Sequence, residues 1–151
     1  MHGGPTVIVD AGPIVAWLTR SDAHHAWVKA QFERLRPPLL TCEAALTEAA
    51  SLVEYAGGDP SKVPALSARG VFRLAPVLAE HGAHVTQLMR RYSNVPMSLA
   101  DACLVRLSEM VPDALVFTLD TDFFIYRRRG RAVIPLLTPA GRWAAALPGR
   151  L

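Results

Sequence analysis

The sequence has too little cysteine for a disulfide scaffold. It also lacks any apolar run of the roughly 18 residues that a membrane-spanning helix requires. Its two cysteines, Cys42 and Cys103, fall in helical patterns without metal-ligand spacing and are read as buried, reduced thiols. The opening MHGGPTVIVD has neither the basic region nor the apolar core of a signal peptide, so a cytoplasmic location is expected. No internal repeat, low-complexity tract or linker divides the chain. A G-x-G-x-x-G after a strand is absent, as is G-x-x-x-x-G-K-[ST], which argues against dinucleotide binding and P-loop chemistry. The first strand ends in Asp10-Ala11-Gly12 rather than the D-x-D of a haloacid-dehalogenase-like phosphotransferase.

What is present fits one α/β domain. A chain of 151 residues can bury a real core, and 51% hydrophobic with 19% charged residues excludes disorder. The net charge of +3 and pI near 9.2 are compatible with a polyanionic partner. The basic residues are unevenly placed, with Arg127, Arg128, Arg129 and Arg131 crowded together.

Short β-branched or apolar runs at 6–9, 39–42, 71–74, 115–118 and 132–136 read as strands, the last with a proline that predicts an edge position. Helical patterns fill the gaps: about 13–18, 22–35, 43–55, a segment after Pro60, 77–92 and 98–110. Strands alternating with helices predict a mostly parallel sheet covered on both faces.

In such a sheet ligands bind outside the carboxyl ends of the strands, so the positions of the acids carry information. Asp10 closes the first strand, Asp120 follows the fourth, and Asp122 is two residues on. Asp101 opens the helix that leads into the fourth strand. Glu48 sits on a helix face of small and apolar neighbours: Ala44, Ala45, Ser51 and Leu52. Each acid also has a plain structural role open to it. Asp10 can satisfy turn amides, Ser98 and Asp101 have capping-box spacing, Asp120 and Asp122 can cap a turn around Phe123, and Glu48 can be solvated. Several carboxylates on one rim repel without a counter-charge, and all-oxygen ligands select hard ions such as Mg²⁺ or Mn²⁺.

Val7-Ile8-Val9-Asp10, Thr47-Glu48, Ser98-Leu99-Ala100-Asp101-Ala102 and Thr118-Leu119-Asp120-Thr121-Asp122-Phe123 resemble, in order and spacing, the motifs of PIN domains. They are most like those of VapC-type toxin ribonucleases from bacterial type II toxin–antitoxin systems. The resemblance covers about residues 6–137. It implies a single PIN domain over 1–151, with 138–151 as a peripheral tail. The implied fold is three-layer α/β/α, its five-stranded sheet in the order 3-2-1-4-5. Asp10, Glu48, Asp101 and Asp120 match the family's acidic quartet; Asp122 matches a position that is acidic in many relatives, so the metal positions implied are Asp10 and Asp101 with Asp120, Asp122 beside it or Asp122 in its place. Thr118 and Ser98 match supporting polar positions.

The implied activity is Mg²⁺- or Mn²⁺-dependent endoribonuclease cleavage of a structured RNA (tRNA or rRNA) by metal-activated water attacking phosphorus in line. The product would carry a 5′-phosphate. Tyr126, Arg127, Arg128, Arg129 and Arg131 are candidate RNA contacts: the arginines for phosphates, the tyrosine for stacking on a base. A solvated basic loop is the plainer alternative. A cognate antitoxin and a homodimer are implied by the resemblance, with 71–78 or the last helix as candidate contact area. The competing function is a non-catalytic PIN-fold module that binds RNA or protein.

Overall fold

β1 (Thr6–Val9) runs through the middle of the sheet in the computed structural model of the chain, which describes residues 4–143. After it come α1 (Ala11–Leu18), α2 (His25–Arg34), β2 (Leu39–Thr41), α3 (Glu43–Tyr55), α4 (Lys62–Ala68) and β3 (Phe72–Leu74). α5 (Val77–Arg91), α6 (Leu99–Met110) and β4 (Ala114–Phe117) complete the central part. A 3₁₀ turn (Thr121–Phe124), β5 (Arg127–Arg128), β6 (Ala132–Val133), β7 (Leu136–Thr138) and β8 (Gly141–Trp143) follow.

The main sheet has the order β3-β2-β1-β4-β7-β8. Its first five strands are parallel and in the expected order, with β7 in the fifth place. Alternate residues of each strand point to opposite faces. Ile8, Leu40, Val116 and Leu136 enter one core beneath α5 and α6. Val7, Val9, Leu39, Leu115 and Phe117 enter the other, against residues of α1, α2, α3 and α4. Both faces are therefore apolar, which is why the strands read as continuous hydrophobic runs rather than alternating ones.

The fifth strand departs from expectation. Ala132–Val133 pairs with Arg127–Arg128 in a separate antiparallel ribbon, and only Leu136–Thr138 joins the main sheet. Pro135 has no N–H to give a ladder, and it stands between the two pieces. Its carbonyl accepts the Val116 amide at 2.9 Å, so the proline marks a strand entrance rather than an edge. β8 then covers the outer side of β7 as an antiparallel sixth strand, so part of the expected peripheral tail belongs to the sheet. Residues 144–151 of that tail lie outside the described residues.

Local signals set the helix ends. Gly57, at φ 87°, closes α3: its amide bonds Glu54 O and the next amide, of Gly58, bonds Val53 O at 2.9 Å, a Schellman end. The helix over 77–92 is present with a break at His81 (φ −129°, ψ 30°). Phe117 anchors the second core, fully buried with Phe32 and Trp27 ring centroids at 5.2 and 5.7 Å. Phe117→Ala is expected to cost about 3–5 kcal/mol in denaturant unfolding. A loss under about 1.5 kcal/mol would mean that the surrounding rings collapse into the gap.

Candidate metal centre

The register of β1 and β4 builds the centre. Val9 pairs with Phe117, so the residues that follow, Asp10 and Thr118, emerge side by side at the carboxyl rim of the sheet. The Thr118 hydroxyl donates to Asp10 Oδ2 at 2.7 Å and accepts the Asp120 amide at 2.9 Å. One threonine thus ties two acids that are 110 positions apart in sequence.

The plain structural roles and the shared site turn out to coincide. Asp10 is the N-cap of α1, its Oδ1 accepting the Ala11 amide at 2.7 Å. Asp101 forms a capping box with Ser98 at the start of α6. Asp120 caps the 3₁₀ turn, its Oδ1 accepting the Asp122 amide at 2.9 Å. Each cap aims a helical N-terminus, with its partial positive charge, at the same place. Carboxylate oxygens of Asp10, Asp101 and Asp120 lie within 4.8 Å of one another.

Glu48, half-buried on α3, stands beside this group: the charges of Asp101 and Asp120 act on its carboxyl, and so does the nearby Ser98 side chain. Asp122 is not among the three clustered acids. Its amide supports Asp120 and its carbonyl accepts the Ile125 and Tyr126 amides. Of the expected metal positions, the structure gathers Asp10, Asp101 and Asp120 and leaves Asp122 as a turn residue.

Burial is the main force on these groups. It pushes the Asp10 carboxyl up to about 7, with the charges of Asp101 and Glu48 adding to the rise and the Thr118 and Ala11 hydrogen bonds opposing it. Asp101 and Glu48 are raised too, burial again first. Among the described residues no Lys, Arg or His forms an ion pair with any of these acids. Three clustered carboxylates with no cationic side chain of their own are a donor set suited to a hard divalent cation.

The basic run is mostly committed elsewhere. Tyr126 is fully buried between Tyr92 and Phe123, each ring centroid 5.2 Å away, so its ring does not meet a base. Its hydroxyl donates to Asp101 Oδ2 at 2.9 Å. The Arg128 side chain is 6% exposed and donates to Ser108 O at 3.2 Å. Arg129, at φ 54°, donates its amide to Glu109 Oε2 and its Nη2 to Glu109 O, at 2.7 and 3.0 Å. Both guanidinium groups satisfy carbonyls that the last turn of α6 leaves open, at the negative end of the helix. Arg127 binds the carbonyls of Phe124, Ile125 and Tyr126. Burial and carbonyl binding thus remove Tyr126 and Arg128 from the expected RNA contacts, whereas Arg129 and Arg131 keep exposed side chains. The contact sequence reading missed is the one between Tyr126 and Asp101. The 25 residues between them carry no local signal for it.

Among curated proteins none matches the sequence. The fold is similar to that of VapC20 from Mycobacterium tuberculosis, a sarcin–ricin-loop cleaving toxin, at a TM-score of 0.70 and 20% identity. That likeness covers 77% of this chain and 91% of the other. The model of the PIN domain matches residues 7–129, well over half the length, and the chain belongs to the PIN-domain family.

Proposed function

We propose that the chain is a metal-dependent endoribonuclease of the VapC toxin type. The observation that carries this reading is the convergence of Asp10, Asp101 and Asp120 on one rim, their carboxylate oxygens within 4.8 Å. The likeness to a sarcin–ricin-loop cleaving toxin supports a structured RNA as substrate. A pure binding module gains nothing from gathering buried carboxylates whose mutual repulsion works against the fold.

Asp10, Asp101 and Asp120 would hold Mg²⁺ or Mn²⁺, and Glu48 would complete the negative charge from α3. When bound, the cation neutralises the scissile phosphate and lowers the pKa of an attacking water. Thr118 fixes the orientation of Asp10 and of the Asp120 backbone. Ser98 holds Asp101 through the capping box and lies near the Glu48 carboxyl. Hydrolysis by water needs no 2′-hydroxyl, so selectivity for RNA must come from the walls around the rim. Exposed Leu99 beside Ser98, Leu52 one helical turn from Glu48, and Ile125 beside Tyr126 are available for that, whereas Arg129 stands at the far end of α6 from Asp101. A cognate antitoxin, a cytoplasmic site of action and a homodimer belong to the same reading. Exposed Leu74 and Leu78 offer contact area for the dimer, whereas most of α6 is buried.

The test is incubation of purified protein with total cellular RNA in Mg²⁺, Mn²⁺ or EDTA, beside Asp101→Asn. Discrete fragments with 5′-phosphate ends that require both metal and Asp101 are expected. A folded sample free of antitoxin that cuts no RNA would sink the reading.

A further inference from the structure

Asp101 is held by more than its own helix. Its Oδ2 accepts the Tyr126 hydroxyl at 2.9 Å and the Ser98 amide at 3.4 Å. Among the described residues no donor reaches Oδ1. Two donors on one oxygen fix the plane of the carboxylate and leave the other oxygen free. Asp10 is held in a related way, by the Ala11 amide on one oxygen and the Thr118 hydroxyl on the other.

The tyrosine is itself firmly placed. Its ring is fully buried and meets Tyr92 and Phe123 edge to face. Its amide bonds Asp122 O at 3.1 Å. The Tyr92 hydroxyl accepts the Arg127 amide at 2.9 Å and so anchors the start of β5 beside it. A buried tyrosine needs a partner for its hydroxyl, and any backbone carbonyl would serve that need. Here the partner is a carboxylate oxygen belonging to the three-acid cluster. That choice gives the hydroxyl a role in the centre beyond filling the core.

We propose that Tyr126 is a positioning residue of the acidic centre: its hydroxyl locks the Asp101 carboxylate so that Oδ1 is presented to a divalent cation shared with Asp10 and Asp120. This rests on the proposed reading that the centre holds such a cation. Groups that hydrogen-bond a metal-ligating side chain fix its orientation, and losing one weakens metal affinity or activity by roughly 10- to 100-fold. The ring packing is independent of the hydroxyl, so Tyr126→Phe separates the two roles.

The experiment is calorimetric titration of Mn²⁺ into the full chain, without RNA, for the unaltered protein, Tyr126→Phe and Tyr92→Phe. Tyr126→Phe is expected to bind Mn²⁺ roughly 10- to 100-fold more weakly while its metal-free unfolding midpoint stays within a few degrees. Tyr92→Phe removes a neighbouring hydroxyl that serves only backbone, and is expected to bind Mn²⁺ as the unaltered chain does. RNA cleavage by Tyr126→Phe should recover as Mn²⁺ is raised, because the defect is in affinity. If the unaltered chain binds no Mn²⁺, the metal-centre reading fails and this proposal with it. If the unaltered chain binds and Tyr126→Phe binds equally well, the positioning role alone is overturned. An equal loss in Tyr92→Phe, or a Tyr126→Phe chain that does not fold, would also overturn it by making the hydroxyl a matter of packing.

Discussion

Asp10→Asn is expected to abolish RNA cleavage and, in the absence of metal, to make the protein more stable. Asparagine keeps the size of the side chain, and its Oδ1 can still accept the Ala11 amide, so the cap of α1 survives. What it removes is a negative charge that is 4% exposed and lies beside Asp101 and Glu48. Losing a charged ligand from the proposed centre should lower the cleavage rate by at least roughly 10³-fold. Without metal at pH 8 the same change relieves burial and repulsion. The rise of the Asp10 carboxyl from 3.8 to about 7 puts an upper bound of about 4 kcal/mol on that relief. A gain of about 1–3 kcal/mol, seen as several degrees in the calorimetric midpoint with EDTA present, is the expected result. A lower midpoint would mean that Asp10 stabilises the metal-free fold. Cleavage at the unaltered rate would refute the metal centre itself.

The second large effect is a reversal of pH dependence by metal. The folded-state pKa of Asp10 is raised, so the folded protein holds a proton that the unfolded chain has released. The associated stability is fully present below about pH 4 and is lost as pH rises through about 7. Asp101 and Glu48 are shifted in the same direction and add to the loss. In EDTA the unfolding midpoint should therefore fall between pH 5 and pH 8. A divalent cation binds the deprotonated centre, so its stabilisation grows over the same range. At a concentration of about 100 times the dissociation constant it is worth about 2.7 kcal/mol, or roughly 5–10 °C in a chain of this size. Mn²⁺ should raise the midpoint by that amount at pH 8 and by little at pH 5. An equal shift at both values would place the cation away from the raised carboxylates.

Much of this could be read from the chain because local rules and the tertiary result agree over its first four strands. β1 and β4 are apolar runs that each end in a polar residue, and parallel pairing carries Asp10 and Thr118 to one rim. The capping signal at Ser98-Leu99-Ala100-Asp101 was legible for the same reason, since a capping box is a matter of spacing within one turn. Asp120 and Asp122 were harder to separate. Both are acidic and two residues apart, and only the 3₁₀ turn decides that the first faces the cluster while the second lends it an amide.

The region after residue 124 was only partly legible because its partners are distant in sequence. Arg128 and Arg129 meet the end of α6 about 20 residues upstream, and Tyr126 meets Asp101. A run of arginines beside a tyrosine looks like a polyanion grip when the open carbonyls it serves are out of view. The split at Pro135 had a local cause, the missing N–H, but which strand each half would join depended on the free side of β4.

The bond between Thr118 and Asp10 spans 108 residues, and it has a consequence for synthesis on the ribosome. The amino-terminal strand emerges early, yet the neighbour that orients its aspartate is translated only after most of the chain has appeared. At about 5–20 residues per second this delay is roughly 5–20 seconds. A nascent or prematurely ended polypeptide stopping just short of Thr118 has Asp10 and Asp101 but neither Asp120 nor the hydroxyl tether. The proposed hydrolytic capacity would thus arrive late and all at once, with little of it on incomplete chains.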